Sequence, residues 1–109
     1  LISINLSHSL DGEANGCSCY YFKGLKSYSI EGFQLANTIQ DQLIAELKVL
    51  DCRVHGSSYA ILKDTTMTSV LVEPAFISNK RQRKDLERTG YQKKIGKSIS
   101  TAVTKYMEK

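Results

Sequence analysis

Short apolar runs, rich in β-branched and aromatic residues, alternate along the chain with polar segments that contain glycine. The run SVLV, which ends at Glu73 and turns at once through Pro74, fits a strand buried on both faces. The segment DCRVHGSS is typical of a turn. Runs of this kind predict four strands of one sheet, over residues 1–6, 17–22, 59–63 and 69–73.

Two longer segments carry apolar residues at a spacing of three and four positions. This period predicts amphipathic helices over residues 29–49 and 91–107, the first capped by Ser29. Gly90 is expected to break the chain before the second helix. A shorter helix is predicted in between, with Asn79 as its N-cap and Gln82 in the capping-box position.

The order β–β–α–β–β–α–α predicts one α/β domain over residues 1–109, a layered sheet with helices packed on it. A chain of 109 residues, 41% hydrophobic, is long enough to bury a single core. No apolar run approaches the roughly 20 residues of a membrane span, and no signal peptide is visible. The chain opens at Leu1, so we expect it to be processed or a piece of something longer.

Positive charge is concentrated at one end of the chain. Residues 80–109 hold ten Lys or Arg and three acidic residues, whereas residues 1–79 hold five basic and eight acidic ones. A basic end suggests an anionic partner, either nucleic acid or an anionic polymer, although a solvated helix face is the commoner explanation. No zinc-finger spacing, RNP-like aromatic motif or Gly-rich loop supports a nucleic-acid partner.

The three cysteines, Cys17, Cys19 and Cys52, cannot all pair within the chain. A lone C-x-C is a weak zinc signal, and two cysteines on one face of a strand rarely form a disulfide. We therefore expect small, half-buried, reduced cysteines.

Glu73 stands where open α/β sheets place their ligands, at the carboxyl end of a strand. Burial of a carboxylate is costly, which favours a functional role. The alternatives are a carboxylate that faces water, or one in a surface ion pair with Lys80 or Arg81.

SVLVEPAFISN resembles VLVELGFISN, a signature of the zinc-dependent N-acetylmuramoyl-L-alanine amidases of the amidase-3 type. LISIN, followed by NG and CSCYYF, resembles the family's SIHAN, NG and YYY segments. LANTIQDQL, YAILKDTTM and YQKKIGKSISTAVTKY resemble its long helix, the strand and loop before the signature, and its closing helix. The resemblance covers nearly the whole chain but only the C-terminal part of the catalytic domain, so we expect the domain's N-terminal strands and helices to be missing.

The resemblance implies a hydrolase of bacterial cell walls, similar to phage endolysins, that acts at the cell wall or outside the cell. These enzymes cut peptidoglycan between the lactyl group of muramic acid and the stem peptide. They bind zinc through His, Glu and His, and a further Glu acts as general acid/base. That Glu corresponds to Glu73, which inherits the catalytic role by resemblance.

The zinc ligands do not carry over to this chain. The family's second His falls on Asn5, a poor ligand beside imidazole, and the other two ligands belong to the part that precedes Leu1. His8 is a weak substitute on a polar loop, and His55 is expected in a turn far from the signature. The family's Leu and Gly after its catalytic Glu are replaced by Pro and Ala.

The main hypothesis is therefore a peptidoglycan amidase whose zinc site is incomplete or degenerate, with zinc absent or weak and no activity in this chain alone. The alternative is a non-catalytic module that uses the same fold to bind the cell wall or a protein. A small nucleic-acid binder is a third hypothesis, resting on charge alone. A sheet without its preceding strands has an unpaired edge, so self-association or a missing N-terminal segment is also expected.

Overall fold

The structure is a computed structural model that describes residues 1–64 and 66–109. In these ranges four short strands form one mixed sheet. The strands are β1 (Ile2–Ile4), β2 (Cys17–Phe22), β3 (Asp51–Ser57) and β4 (Val70–Glu73). The sheet order is β1-β4-β2-β3, in which β1 is parallel to β4, β4 antiparallel to β2, and β2 parallel to β3, so that β1 and β3 are the edge strands.

The predicted long helices are confirmed, with small changes at their ends. Ser29 caps α1 by accepting a hydrogen bond from the Gly32 N–H at 2.9 Å. Gly90 does not break the chain as predicted: it lies in the first turn of α4, and Arg88 is the N-cap. The helices are α1 (Ile30–Leu47), α2 (Ala60–Lys63), α3 (Lys80–Leu86) and α4 (Thr89–Met107).

The core lies between one face of the sheet and the helices α1 and α4. α1 covers β2, β3 and β4, and α4 packs along α1. The prediction of half-buried cysteines is wrong for Cys17 and Cys19, which point into this core and are fully buried. Burial raises the pKa of the Cys17 thiol to about 12, so this cysteine stays protonated at neutral pH. The core members are Cys17, Cys19, Leu35, Ala36, Ile39, Leu43, Leu47, Val70, Val72, Ile95, Ile99 and Ala102.

The strand predicted at 59–63 is wrong, and the predicted turn before it is the strand β3. In β3 the Asp51 carboxylate accepts from the Arg53 N–H at 2.9 Å, and Arg53 has a left-handed backbone, φ 74°. This local turn is an irregularity in the register of β3 with β2. It explains why the sequence of this edge strand is typical of a turn. The YAIL segment forms the single-turn helix α2, of which Leu62 alone is buried.

The edge strand β1 exposes apolar surface. Within the described ranges β1 pairs with β4 alone. Its residue Ile4 is 53% exposed, and the following Leu6 is 42% exposed. An apolar edge of this kind favours pairing with another strand.

We predict that the 109-residue chain self-associates through this edge. Light scattering should show a species larger than a monomer at high concentration, and Ile4→Lys should shift it towards the monomer because charge on an edge strand opposes pairing. The matched control is Ile61→Lys, a similarly exposed position on α2. A wild-type chain that stays monomeric over the whole concentration range would contradict the prediction.

Candidate active site

Asn5 and Glu73 meet at the carboxyl ends of two parallel strands. Ile4 of β1 is in register with Val72 of β4, and the Asn5 N–H continues the ladder to the Val72 carbonyl at 3.0 Å. The next residue is Asn5 after β1 and Glu73 in β4, so these two residues are adjacent across the two strands. Since Val72 points into the core, alternation places Glu73 on the opposite face of the sheet from α1. The parallel pairing of β1 with β4 thus brings Asn5 and Glu73 to the same edge of the sheet.

Glu73 is anchored by Ser7, a residue that the sequence did not single out. The Ser7 hydroxyl donates to Glu73 Oε1 at 2.8 Å, and Ser7 is 7% exposed. The predicted alternative of an ion pair is wrong: among the described residues the ion pair found is Arg88–Asp85, and Glu73 is not part of one. Glu73 itself is half-buried. The carboxylate thus has a fixed partner and some access to solvent.

The face around Glu73 also carries side chains from β2 and β3. Ser18 is directly opposite Glu73 and Tyr20 is opposite Leu71. The Tyr20 ring lies 5.5 Å from the His55 ring and 5.7 Å from the Tyr59 ring, between ring centroids. Tyr20 is therefore on the same face of the sheet as Glu73, and its ring contacts the rings of His55 and Tyr59.

The prediction that His55 lies in a turn is wrong, because His55 belongs to the strand β3. His55 is exposed and in register with Tyr20 of β2, and β2 separates it from β4. Its Nε2 is 2.7 Å from the Cys52 carbonyl oxygen, a contact in which the ring nitrogen is the donor. This contact fixes the orientation of the ring.

The loop after Glu73 is held by a buried amide. Gln82 Oε1 accepts from the backbone N–H of Gly16 and of Phe76, both at 2.9 Å. The predicted cap is confirmed in part, because Asn79 Oδ1 accepts from the Gln82 N–H at 3.0 Å. The Gln82 side chain, however, reaches the β2 start and the loop instead of completing the capping box. It thereby fixes the segment that carries Pro74 and Ala75.

The residues around Glu73 do not fit a zinc site. Over residues 1–64 and 66–109 there is no group of three or more His, Cys, Asp or Glu side chains that could hold a metal ion. Asn5 offers a neutral amide, and His8 is exposed on the loop after Ser7. Cys17 and Cys19 point to the other face, where burial keeps them protonated, and zinc binds the thiolate.

The sequence matches a family of cell-wall hydrolases over almost its full length. The family model described as N-acetylmuramoyl-L-alanine amidase (Amidase_3) matches residues 1–105. The chain belongs to the N-acetylmuramoyl-L-alanine amidase family. It is 33% identical over 104 residues to the N-acetylmuramoyl-L-alanine amidase CwlM of Mycobacterium tuberculosis, and 30% identical over 105 residues to LytC of Bacillus subtilis. These matches cover 94% and 96% of this chain but 26% and 21% of those proteins.

Solved amidase structures share the fold. The CwlD amidase of Clostridioides difficile, solved in complex with the GerS lipoprotein, superimposes with a TM-score of 0.90 at 28% identity. It is matched over 98% of this chain and 53% of its own. An N-acetylmuramoyl-L-alanine amidase from Clostridium difficile 630 gives a TM-score of 0.89 at 23% identity, over 98% of this chain and 56% of that one. This amidase-family chain thus spans about half of those structures.

Relatives described as cell-wall amidases agree with a cell-wall or extracellular setting. Among the described helices of this family member, none is both long and apolar enough to cross a bilayer.

Proposed function

We propose that the protein acts on peptidoglycan at the amide bond between the muramic acid lactyl group and L-alanine, with Glu73 as general acid/base. The observation that carries the proposal is the placement of Glu73: it ends β4 beside the β1 end, and its Oε1 is fixed by Ser7 at 2.8 Å. Carboxyl ends of parallel strands are the usual ligand position in α/β sheets. Membership of the amidase family supplies the class of substrate.

Glu73 has the features that proton transfer requires. A carboxylate that is half-buried and held at one oxygen can take a proton from an attacking water molecule. The same group can then deliver that proton to the departing amino group of L-alanine, so the proton balance closes within one residue. Asn5, at the neighbouring strand end, offers an amide that can hydrogen-bond a carbonyl oxygen or amide nitrogen of the stem peptide.

Digestion of purified peptidoglycan tests this proposal. Cleavage at the proposed bond releases stem peptides with a new L-alanine amino group and leaves the glycan chains intact, which mass spectrometry of the products can show. Cleavage within the glycan, or within the stem peptide, would refute the proposed bond.

We predict that the 109-residue chain binds zinc weakly or not at all, because the residues around Glu73 provide a single carboxylate and an amide. Metal analysis after dialysis against zinc should give well under one zinc per chain. Tight stoichiometric binding would contradict the prediction. His8→Ala and Cys17→Ser variants would then locate the ligands.

A non-catalytic role in wall binding is the second candidate, and a basic groove favours it. The groove lies between α1 and α4 and has a volume of about 350 Å³. Lys93, Lys94 and Lys97 line one side, and Glu46 is the acidic residue among the lining residues. None of these lysines is in an ion pair within the described parts of the chain. The groove therefore suits an anionic wall polymer without any need for catalysis.

The double variant Lys93→Gln/Lys97→Gln should weaken binding to cell walls that carry anionic polymer by about thirtyfold at low salt, since each lysine near an anionic surface contributes about 1 kcal/mol. A pull-down at several salt concentrations measures this. Lys23→Gln/Lys26→Gln removes the same charge elsewhere and serves as control. Equal effects of the two double variants would show that net charge, and not the groove, governs binding.

A further inference from the structure

We propose that Ser7 and Tyr20 are positioning residues that hold the Glu73 carboxylate from the two strands beside it. We call their two hydroxyl groups the hydroxyl clamp. The proposal rests on the role proposed for Glu73 and adds which residues orient it. Ser7 lies in the segment that continues β1, and Tyr20 lies in β2. The two hydroxyl groups therefore come from the two sides of β4, the strand that carries Glu73.

Ser7 is itself fixed by the backbone on both sides. Its N–H donates to the Ala75 carbonyl at 2.9 Å, and its carbonyl accepts from the Ile77 N–H at 2.8 Å. The hydroxyl therefore has little freedom, and it donates to Glu73 Oε1 at 2.8 Å in a largely buried setting. A hydrogen bond from a hydroxyl to a carboxylate is stronger than one between neutral groups. Ser7 thus restrains rotation of the carboxylate.

Tyr20 approaches Glu73 from the other side. In the antiparallel pairing of β2 with β4, Tyr20 is opposite Leu71 and Ser18 is opposite Glu73, so Tyr20 is a diagonal neighbour of Glu73 on the same face. Diagonal neighbours are within reach of long aromatic side chains. The ring contacts with His55 and Tyr59 hold the Tyr20 ring in place.

The electrostatics of Tyr20 agree with this arrangement. Burial raises the pKa of the Tyr20 hydroxyl, the neighbouring Ser18 hydroxyl opposes the shift, and the negative charge of Glu73 adds to it. The phenol is therefore protonated at neutral pH and able to donate a hydrogen bond to the carboxylate.

An NMR titration of protein with labelled tyrosine side chains tests the Tyr20 member of the clamp without requiring activity. In Glu73→Gln the titration midpoint of the Tyr20 hydroxyl should fall, because the nearby negative charge is lost. Glu87→Gln removes an exposed carboxylate elsewhere and is the control, in which the Tyr20 midpoint should stay at the wild-type value. A Tyr20 midpoint that is the same in Glu73→Gln as in wild type overturns this member of the clamp.

Kinetics of peptidoglycan cleavage, measured in the longest natural form of the protein, separate the clamp from the proposed function. Ser7→Ala and Tyr20→Phe should each lower kcat about tenfold with KM unchanged, which corresponds to about 1.4 kcal/mol in the barrier. Ser3→Ala and Tyr21→Phe are the matched controls. Activity that survives Glu73→Gln refutes the proposed function. Activity that is lost in Glu73→Gln but unaffected by both clamp variants refutes the clamp alone.

Discussion

Glu73→Ala should lower the cell-wall amidase activity of a protein that carries Asn5→His by about 10²–10⁴-fold, which is the usual contribution of a general acid/base. Asn5→His is the background for this experiment because imidazole is a far better metal ligand than the amide it replaces. The substitution is made in the longest natural form of the protein. Release of stem peptides from peptidoglycan, followed over time, is the measurement.

Glu87→Ala is the matched control, since it removes an exposed carboxylate from the segment between α3 and α4. It should leave the rate unchanged. Zinc content is measured in parallel, so that loss of the proton-transfer group is distinguished from loss of metal. If the Asn5→His protein binds zinc and cleaves equally well with Ala at position 73, the role assigned to Glu73 is wrong.

The sequence was informative wherever local pattern and tertiary packing agree. α1 and α4 were predictable because their apolar stripes face a core that both helices share. β4 was predictable because a run of buried apolar residues ends in a carboxylate and a proline. Segments 51–57 and 59–63 were assigned incorrectly because neither has a clear period. β3 is an edge strand with an irregularity, and the only strongly buried residue of α2 is Leu62.

Only the part of the candidate site at the ends of β1 and β4 was predictable from the sequence. Asn5 and Glu73 each lie at the end of an apolar strand, a position that the sequence shows, and the parallel pairing of the two strands brings them to one edge of the sheet. Ser7 and Tyr20 were missed because their positions beside Glu73 depend on the path of the chain and on strand pairing, which the pattern of apolar and polar residues does not encode. Ser7 bonds Glu73 after the chain has left β1, and Tyr20 is a diagonal neighbour of Glu73 because of the register of β2 with β4. The one signal available in the sequence was the two-residue spacing of Asn5 and Ser7, which places both side chains on the same face of an extended chain.

Gln82→Ala should destabilise the fold by about 2–6 kcal/mol, because it leaves two backbone donors without their acceptor and each buried unsatisfied group costs about 1–3 kcal/mol. Those donors are the N–H groups of Gly16, which precedes β2, and of Phe76, in the loop after Glu73. Gln82 is 6% exposed, so water cannot easily replace its oxygen. Urea denaturation of wild type and variant gives the difference in free energy of unfolding.

Gln92→Ala is the control for Gln82→Ala. The Gln92 side chain donates to the Leu86 carbonyl at 2.7 Å but is exposed, so water can take its place and the loss should stay near 0.5 kcal/mol. A Gln82→Ala protein as stable as this control would show that the amide does not hold the loop. If the amide does hold it, the loop from Pro74 to Phe76 loosens in the variant. Glu73, which directly precedes Pro74, should then lose its register with Ser7, so that activity falls together with stability.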